Sequence, residues 1–478
     1  MEALGYALGF GYGAICLLSA FLLSKLGVDK RITRKVVHIF IGFEWVILYL
    51  FHGATYHFLV VCLAFLALLV VAYKKNLLKM ISSEGSNAPG TVYYAVSMSI
   101  MAAVSLLEPR FMLPFGVAVF ATSIGDGFAG LIGQLVTKCN PKVYKEKSLV
   151  GTLVNLLTST AVAFVFMFVF SDMGLTPLTC VAIGFISAGV ELISGLGLDN
   201  IGLPLSVSAF TYFATVHYDA TLPYMLPIVL TPFVVAFVVQ KNALTRGGLI
   251  AALLLDLTVS IALGNLGFAL LLLFLALGVL TDKLKRRGTE EKEEKGSRRD
   301  FMQVLSNGFV PVVSAVIYAI IGSPAFLIAF VASLAEALAD TAASSLGSYS
   351  KNTFDIFKLR RCEKGTSGGV SLCGTLFAVA FAFVIPLIAF LCGAISINEM
   401  LLSAVVATLG VFFDSFIGSV AQAKYRCRVC GYNTERRAHC GDPTELTSGL
   451  SFIRNDTVNA LSTLFAALVA VFSYNIII

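Results

Sequence analysis

Apolar runs of 16 to 25 residues recur along the whole chain, separated by short polar segments. In lipid every backbone N–H and C=O must be paired within its own segment, so runs of this length form helices. Strands are not expected. About sixteen spans are predicted, starting near Leu4, Val36, His57, Thr91, Met112, Leu149, Pro177, Ile201, Tyr224, Gly247, Leu266, Gln303, Pro324, Ser371, Asn398 and Asp456. The weakly hydrophobic eighth and tenth could be re-entrant. The fold class is therefore all-α, a polytopic transmembrane helical protein.

Composition strengthens this reading. Hydrophobic residues make up 58% of the 478 positions, charged residues 13%, and the mean hydropathy is +0.88. A soluble core cannot absorb so much apolar surface. The first run, Leu4 to Leu23, has Glu2 ahead of it and basic residues behind it, the reverse of a cleavable signal peptide. Basic residues gather in every second loop, at Lys25 to Lys35, Lys74 to Lys79, Lys138 to Lys147, Lys241 to Arg246, Asp282 to Asp300, Lys351 to Lys364 and Lys424 to Arg454. The positive-inside rule makes these loops cytoplasmic and both termini external.

Polar residues that interrupt the apolar background occur as a set, twice and in the same order. The first set is Arg34 to His38, Gly125-Asp126-Gly127, Lys147-Ser148-x-x-Gly151-Thr152, then Glu191 and Asp199-Asn200. The second is Arg299 to Gln303, Glu336 with Asp340-Thr341, Lys364-Gly365-Thr366-Ser367-Gly368-Gly369, then Asn455-Asp456 and Asn459. Two related helical domains are expected, 1–220 and 221–478.

A carboxylate within a span usually has a partner, and for Asp126, set between Gly125 and Gly127, a phosphate-bound Mg²⁺ is a plausible one. The bland alternative is a snorkelling acid beside packing glycines. Lys147 and Lys364 each precede a glycine-containing stretch expected to open a helix, where free N–H groups, the dipole and a point charge favour phosphate. Basic residues there also serve as plain interfacial anchors. Arg34 and His38 share a helical face at i and i+4, suited to clamping a phosphate and orienting a hydroxyl, or simply to packing. Asp199-Asn200 and Asn455-Asp456 stand at helix starts, where both residue types are ordinary N-caps.

Two features read as less functional. Asp282 to Asp300 mixes acids with eight Lys/Arg, as a solvated linker does. Cys427-x-x-Cys430 with His439-Cys440 resembles half of a zinc site, but neighbouring ligands strain tetrahedral geometry, so reduced cytoplasmic thiols are the default expectation.

With these motifs in hand, residues 1 to 220 resemble the phytol kinase and dolichol kinase family. The resemblance rests on Arg34-Lys35-x-x-His38, Gly125-Asp126-Gly127-Phe128-Ala129, Lys147-Ser148-x-x-Gly151-Thr152, and Glu191 with Leu198-Asp199-Asn200 and Pro204-Leu205. Residues 240 to 478 look like the phytyl phosphate kinase family. There the matches are Arg299-Asp300-x-x-Gln303, Ala339-Asp340-Thr341-Ala342, Gly365 to Val370, and Asn455-Asp456-x-Val458-Asn459. The family's lysine-lysine-serine-tryptophan-glutamate form is here Glu146-Lys147-Ser148-Leu149-Val150.

The resemblance implies a fused pair of kinases. The first half would phosphorylate an isoprenoid alcohol in the membrane and the second would convert the prenyl monophosphate to the diphosphate, with CTP as phosphoryl donor and Mg²⁺ as cofactor. The residues implied in catalysis are Arg34, His38, Asp126, Lys147, Asp199, Asp340 and Asp456. Those implied in holding nucleotide are Gly125, Gly127, Ser148, Gly151, Thr152, Asn200, Lys364, Gly365, Thr366, Ser367, Gly368, Gly369, Asn455 and Asn459, with Asp126 and Asp340 on metal. No nucleic-acid partner is implied. A cytidylyltransferase would instead release diphosphate, and a transporter would need polar residues on the outer half of its spans, where none of these motifs lies.

Overall fold

The computed structural model describes residues 2–75, 90–136, 140–195, 197–284, 298–350, 352–358, 360–362 and 366–477. The chain is a polytopic helical membrane protein: among the described residues thirteen helices are long and apolar enough to cross a bilayer. Three differences separate this number from the expected sixteen. Pro177–Ile193 is shorter than a typical span, and Asp199–Val216 is too polar to rank with the thirteen. The two spans expected from Gly247 and Leu266 form one stretch, Arg246–Leu284, bent sharply at Gly264, whose φ of +58° lies in the left-handed region. The bend folds the chain back so closely that a Cβ on Gly267 would meet the Val259 carbonyl oxygen at 2.9 Å.

Contacts divide the chain into two compact units, Met1–Gln240 and Lys241–Ile478, later than the expected boundary at 220/221. The shift arises because Met225–Gln240 packs on Pro177–Ile193: Phe185 and Phe233 meet edge to face at 6.0 Å, and Ala236 is buried with Leu192 and Tyr144.

Each unit is built around one helix buried on nearly all sides. In the first it is Pro109–Leu135, 72% buried over its apolar window; in the second Pro324–Gly347, 83% buried; every other span is 44% buried or less. A helix apolar all round belongs in the middle of a bundle. Phe115, Val117, Ala118 and Val119 of the first central helix pack with Trp45, Leu48, Phe58 and Ile183. In the second, small residues from Ala325 to Ala342 let neighbouring helices approach closely, as membrane interfaces favour. Asp126 and Asp340 sit on these two central helices.

The first central helix is not uniform. Met112–Phe120 and Gly127–Leu135 are α-helical, but Ala121–Asp126 between them is π-helical. Such wide turns recur at functional sites.

Strands, which were not expected, do occur, because the polar loops pair their own backbone outside the apolar segments. Lys142–Tyr144 pairs with Lys147–Ser148, Phe354–Asp355 lies between Arg360–Arg361 and Gly369–Val370, and Lys424–Arg426 lies between Asn433–Thr434 and Glu445–Ser448. Ala438–His439 pairs with Asp442–Pro443.

Candidate functional site

In the first unit the π-helical turn ends on Asp126, and its carboxylate faces Lys35. The Lys35 ammonium donates to both carboxylate oxygens, at 2.9 and 2.8 Å, and to the Asp126 carbonyl at 3.2 Å. His38, one turn along from Lys35, puts Nε2 3.6 Å from the same carboxylate and 3.2 Å from the Thr122 carbonyl oxygen. The cation beside Asp126 is therefore a lysine, where sequence reasoning expected a metal. Both Asp126 oxygens are thus engaged by an ammonium. Space for the lysine comes from a missing side chain, since a Cβ on Gly130 would lie 2.3 Å from Lys35 Cε.

Lys147 precedes the helix Leu149–Val169. Ser148 is its N-cap and accepts from the Gly151 N–H at 3.2 Å, while the Thr152 hydroxyl donates to the Ser148 carbonyl. Lys147 forms an ion pair with Glu191 and lies 3.8 Å from Asp199. Burial pulls its ammonium down, but the carboxylates of Glu191, Asp126 and Asp199 outweigh that and hold it above the usual lysine range. Asp199 Oδ1 accepts from both the backbone and the side-chain nitrogen of Asn200. Arg34 and Asn200 flank Gly90, where a Cβ would lie 3.2 Å from a nitrogen of each.

Glycines set these distances. Gly127 faces Ile39, and Gly125 faces Ser159 and Asn155. Ser159, Asn155 and Ser187 form a buried hydrogen-bonded triangle that continues the polar stripe of Ser148, Gly151 and Thr152 into the membrane. Sequence reasoning missed Lys35 as the partner of Asp126, although its i, i+3 relation to His38 was a usable signal, and missed Asn155 in the same stripe.

In the second unit Asp340 belongs to an all-acid group. Glu336 is one turn before it on the central helix, and Asp414 comes from Ile397–Val420. Both Glu336 oxygens and one of Asp414 are buried outside good hydrogen-bonding geometry, with the Ser462 hydroxyl as their polar neighbour, and no ion pair among the described residues engages any of the three acids. Glu336 has room because a Cβ on Gly410 would lie 2.5 Å from its Cγ. Sequence reasoning missed Asp414. A lone acid inside an apolar run was the available signal.

The glycine run behaves differently from its expected role. Lys364 and Gly365 lie outside the described residues. Thr366 to Gly369 do not open a helix; they form a turn leading into the Gly369–Val370 strand. The helix itself starts at Leu372, capped by Ser371, which accepts from Gly374 N at 3.1 Å. Ser371-x-x-Gly374 therefore matches Ser148-x-x-Gly151. A Cβ on Gly151 would lie 3.9 Å from Gly133 Cα, and one on Gly374 would lie 3.6 Å from Gly347 Cα. Gly133 and Gly347 each lie seven residues beyond the aspartate of their unit.

Ser367 instead donates its hydroxyl to Glu435, and its carbonyl accepts from Lys424 at 2.9 Å. Gly368, with φ +81°, presses on Ser419 so tightly that a Cβ would lie 2.4 Å from the Ser419 nitrogen. Asn455 begins the last helix, Asn455–Ile477, which also carries Asp456 and Asn459, and lines a cleft with Glu435, Arg437 and Arg454. Gln303, aligned by sequence order with His38, is committed to a capping box with Asp300.

The chain resembles several known membrane proteins. It is 31% identical to the phytol kinase of Synechocystis over 200 residues, 40% of this chain and 83% of that protein. It is 30% identical to an uncharacterised membrane protein of Methanocaldococcus jannaschii over 198 residues, 40% of this chain and 80% of that one. With Protein VTE6, chloroplastic, of Arabidopsis thaliana it shares 25% identity over 248 residues, half of this chain and 68% of that protein. No solved structure matches. The family described as integral membrane protein DUF92 matches residues 229–467, and the chain belongs to it.

Proposed function

We propose that this protein is a CTP-dependent isoprenoid kinase with two active units, the first phosphorylating a prenol and the second its monophosphate. The observation that carries the reading is the meeting of Lys35, His38, Lys147 and Asp126 beside the Ser148-capped helix start. Phosphoryl transfer asks mainly for positioning and charge neutralisation. The N-terminal amides of Leu149–Val169 and the Lys147 ammonium receive nucleotide phosphates, Asp126 and Asp199 hold the two lysines in place, and His38 orients the acceptor hydroxyl. Likeness to a phytol kinase supports an isoprenoid alcohol as substrate.

In the second unit the divalent cation falls to Asp340, with Glu336 and Asp414 as further carboxylates nearby; the three do not converge as a ready-made ligand set, and no cationic partner engages them among the described residues. Mg²⁺ held there would neutralise charge on the transferring phosphates. A monophosphate acceptor is already anionic, so the second unit needs no counterpart of His38. The basic loops of the chain face the cytoplasm, where nucleotide is available.

The test is an assay of purified full-length protein with CTP, prenols and prenyl monophosphates, with products separated by lipid chromatography. Asp126→Asn should abolish alcohol phosphorylation and spare monophosphate turnover. Asp340→Asn should do the reverse, so that monophosphate accumulates. Equal loss of both activities from either change would point to one composite site, and release of diphosphate instead of CDP would identify a cytidylyltransferase.

A further inference from the structure

We propose that Cys427, Cys430, His439 and Cys440 bind a structural zinc ion that folds the polar loop ahead of the last helix. Their four ligand atoms lie within 4.8 Å of one another. His439 Nδ1 is 3.4 Å from Cys430 Sγ and 3.2 Å from Cys440 Sγ. Tetrahedral zinc, with Zn–S of about 2.3 Å and Zn–N of about 2.0–2.1 Å, sets ligand-to-ligand edges of about 3.6 Å for S···N and about 3.8 Å for S···S. The cluster is already close to those dimensions, and all three cysteines are free thiols.

The backbone explains why the atoms converge. The two ligand pairs come from the turns of two neighbouring hairpins. In the first, Gly431 N–H donates to the Cys427 carbonyl at 3.0 Å and Cys427 N–H donates to Tyr432 at 2.9 Å. Gly431 takes a φ of +71° to close that turn. In the second, between Ala438–His439 and Asp442–Pro443, Cys440 and Gly441 have φ of +55° and +85°. A non-glycine residue in the left-handed region is uncommon. Here it turns the adjacent His439 and Cys440 side chains toward one point, which removes the strain their adjacency implies. Tyr432 stacks on the His439 ring at 5.7 Å and fixes its orientation.

Three sulfurs and one imidazole in a closed, redox-silent arrangement suit zinc above other divalent ions. Glu435, which accepts from Ser367, lies between the two hairpins, so the ion would stiffen the arm that grips the glycine run.

The experiment is elemental analysis of the full-length protein, purified in detergent from zinc-supplemented cells with a histidine-free tag and no chelator. About one zinc per chain is expected, falling at least tenfold in the Cys430→Ser/Cys440→Ser double variant and unchanged in Cys16→Ser/Cys392→Ser. Because the loop variant could misfold, a second measurement uses the wild-type chain. Chelation should expose Cys427, Cys430 and Cys440 to maleimide labelling, and cobalt added in place of zinc should give the intense visible bands of a tetrahedral thiolate site. Less than one zinc per ten chains, stoichiometric iron, or equal labelling of the three cysteines with and without added zinc would each overturn the assignment.

Discussion

Lys35 Nζ sits within 2.9 Å of both carboxylate oxygens of Asp126, joining residues 91 positions apart inside an apolar bundle. Removing one partner of a buried ion pair strands the other charge, at about 3–5 kcal/mol. Lys35→Met should therefore lower the melting temperature of the detergent-solubilised protein markedly. Lys35→Met combined with Asp126→Asn should recover most of that loss while alcohol phosphorylation stays absent. A single variant as stable as wild type would mean that the pair contributes nothing to folding.

Lys147 distinguishes phosphate binding from anchoring at the membrane surface. An anchor tolerates Lys147→Arg, whereas a point-charge contact is misplaced by the bulkier planar fork. A contact that strengthens in the transition state is worth about 2–4 kcal/mol, or two to three orders of magnitude in rate. Rates within about threefold of wild type for both Lys147→Arg and Lys147→Met, at equal membrane abundance, would reduce the residue to an anchor.

The same lysine carries a pH signature. Its folded-state value is raised above the ordinary 10.5, so its stabilising contribution is fully present below 10.5 and is lost only as pH rises through the higher folded value. The melting-temperature difference between wild type and Lys147→Met should be flat from neutral to mildly alkaline pH and shrink only beyond the ordinary lysine range. A difference that vanishes near neutrality would contradict the ion pairs with Glu191 and Asp199.

The acid group of the second unit makes a prediction about metal. Binding to the folded state alone stabilises by RT ln(1 + [L]/Kd), about 2.7 kcal/mol at a hundredfold excess over Kd. Mg²⁺ should raise the melting temperature of wild type, and Glu336→Gln should both stabilise the metal-free protein and blunt that rise. Identical Mg²⁺ responses in the two proteins would remove Glu336 from the cation site.

Topology is open to direct measurement. A reporter fused after Ile478 should behave as external and one inserted at Lys292 as cytoplasmic, as the distribution of Lys and Arg requires. Both reporters on one side would refute the expected orientation.

The polytopic helical fold was legible because lipid allows so few alternatives, and Asp126, Lys147 and Asp199 stood out as charges in an apolar background. What lay hidden depends on contacts between distant segments. Lys35 looked like one more basic flank residue until the fold carried it to Asp126. Asp414 had no neighbouring motif, and its place near Glu336 and Asp340 emerges only where its helix packs on the central one. The glycine run at Gly365 to Gly369 resembled a helix start, yet a strand pairing with Phe354–Asp355 claims its end and moves the cap to Ser371. For Cys440, a single backbone angle decides whether neighbouring ligands can share an ion.

The π-helical turn at Ala121–Asp126 acts as a phase shifter for everything after it. A regular helix advances about 100° per residue, and the wide turn accommodates extra chain without lengthening the rod. Deleting one residue there would let the helix close into ordinary geometry with Gly130 and Gly133 still in line with Lys35 and the Ser148 cap, whereas forcing the full-length segment into a regular helix would swing both out of line. The segment is thus a vernier in the membrane: whether its turn is wide or regular, more than side-chain identity, sets which face of the central helix the rest of the unit meets.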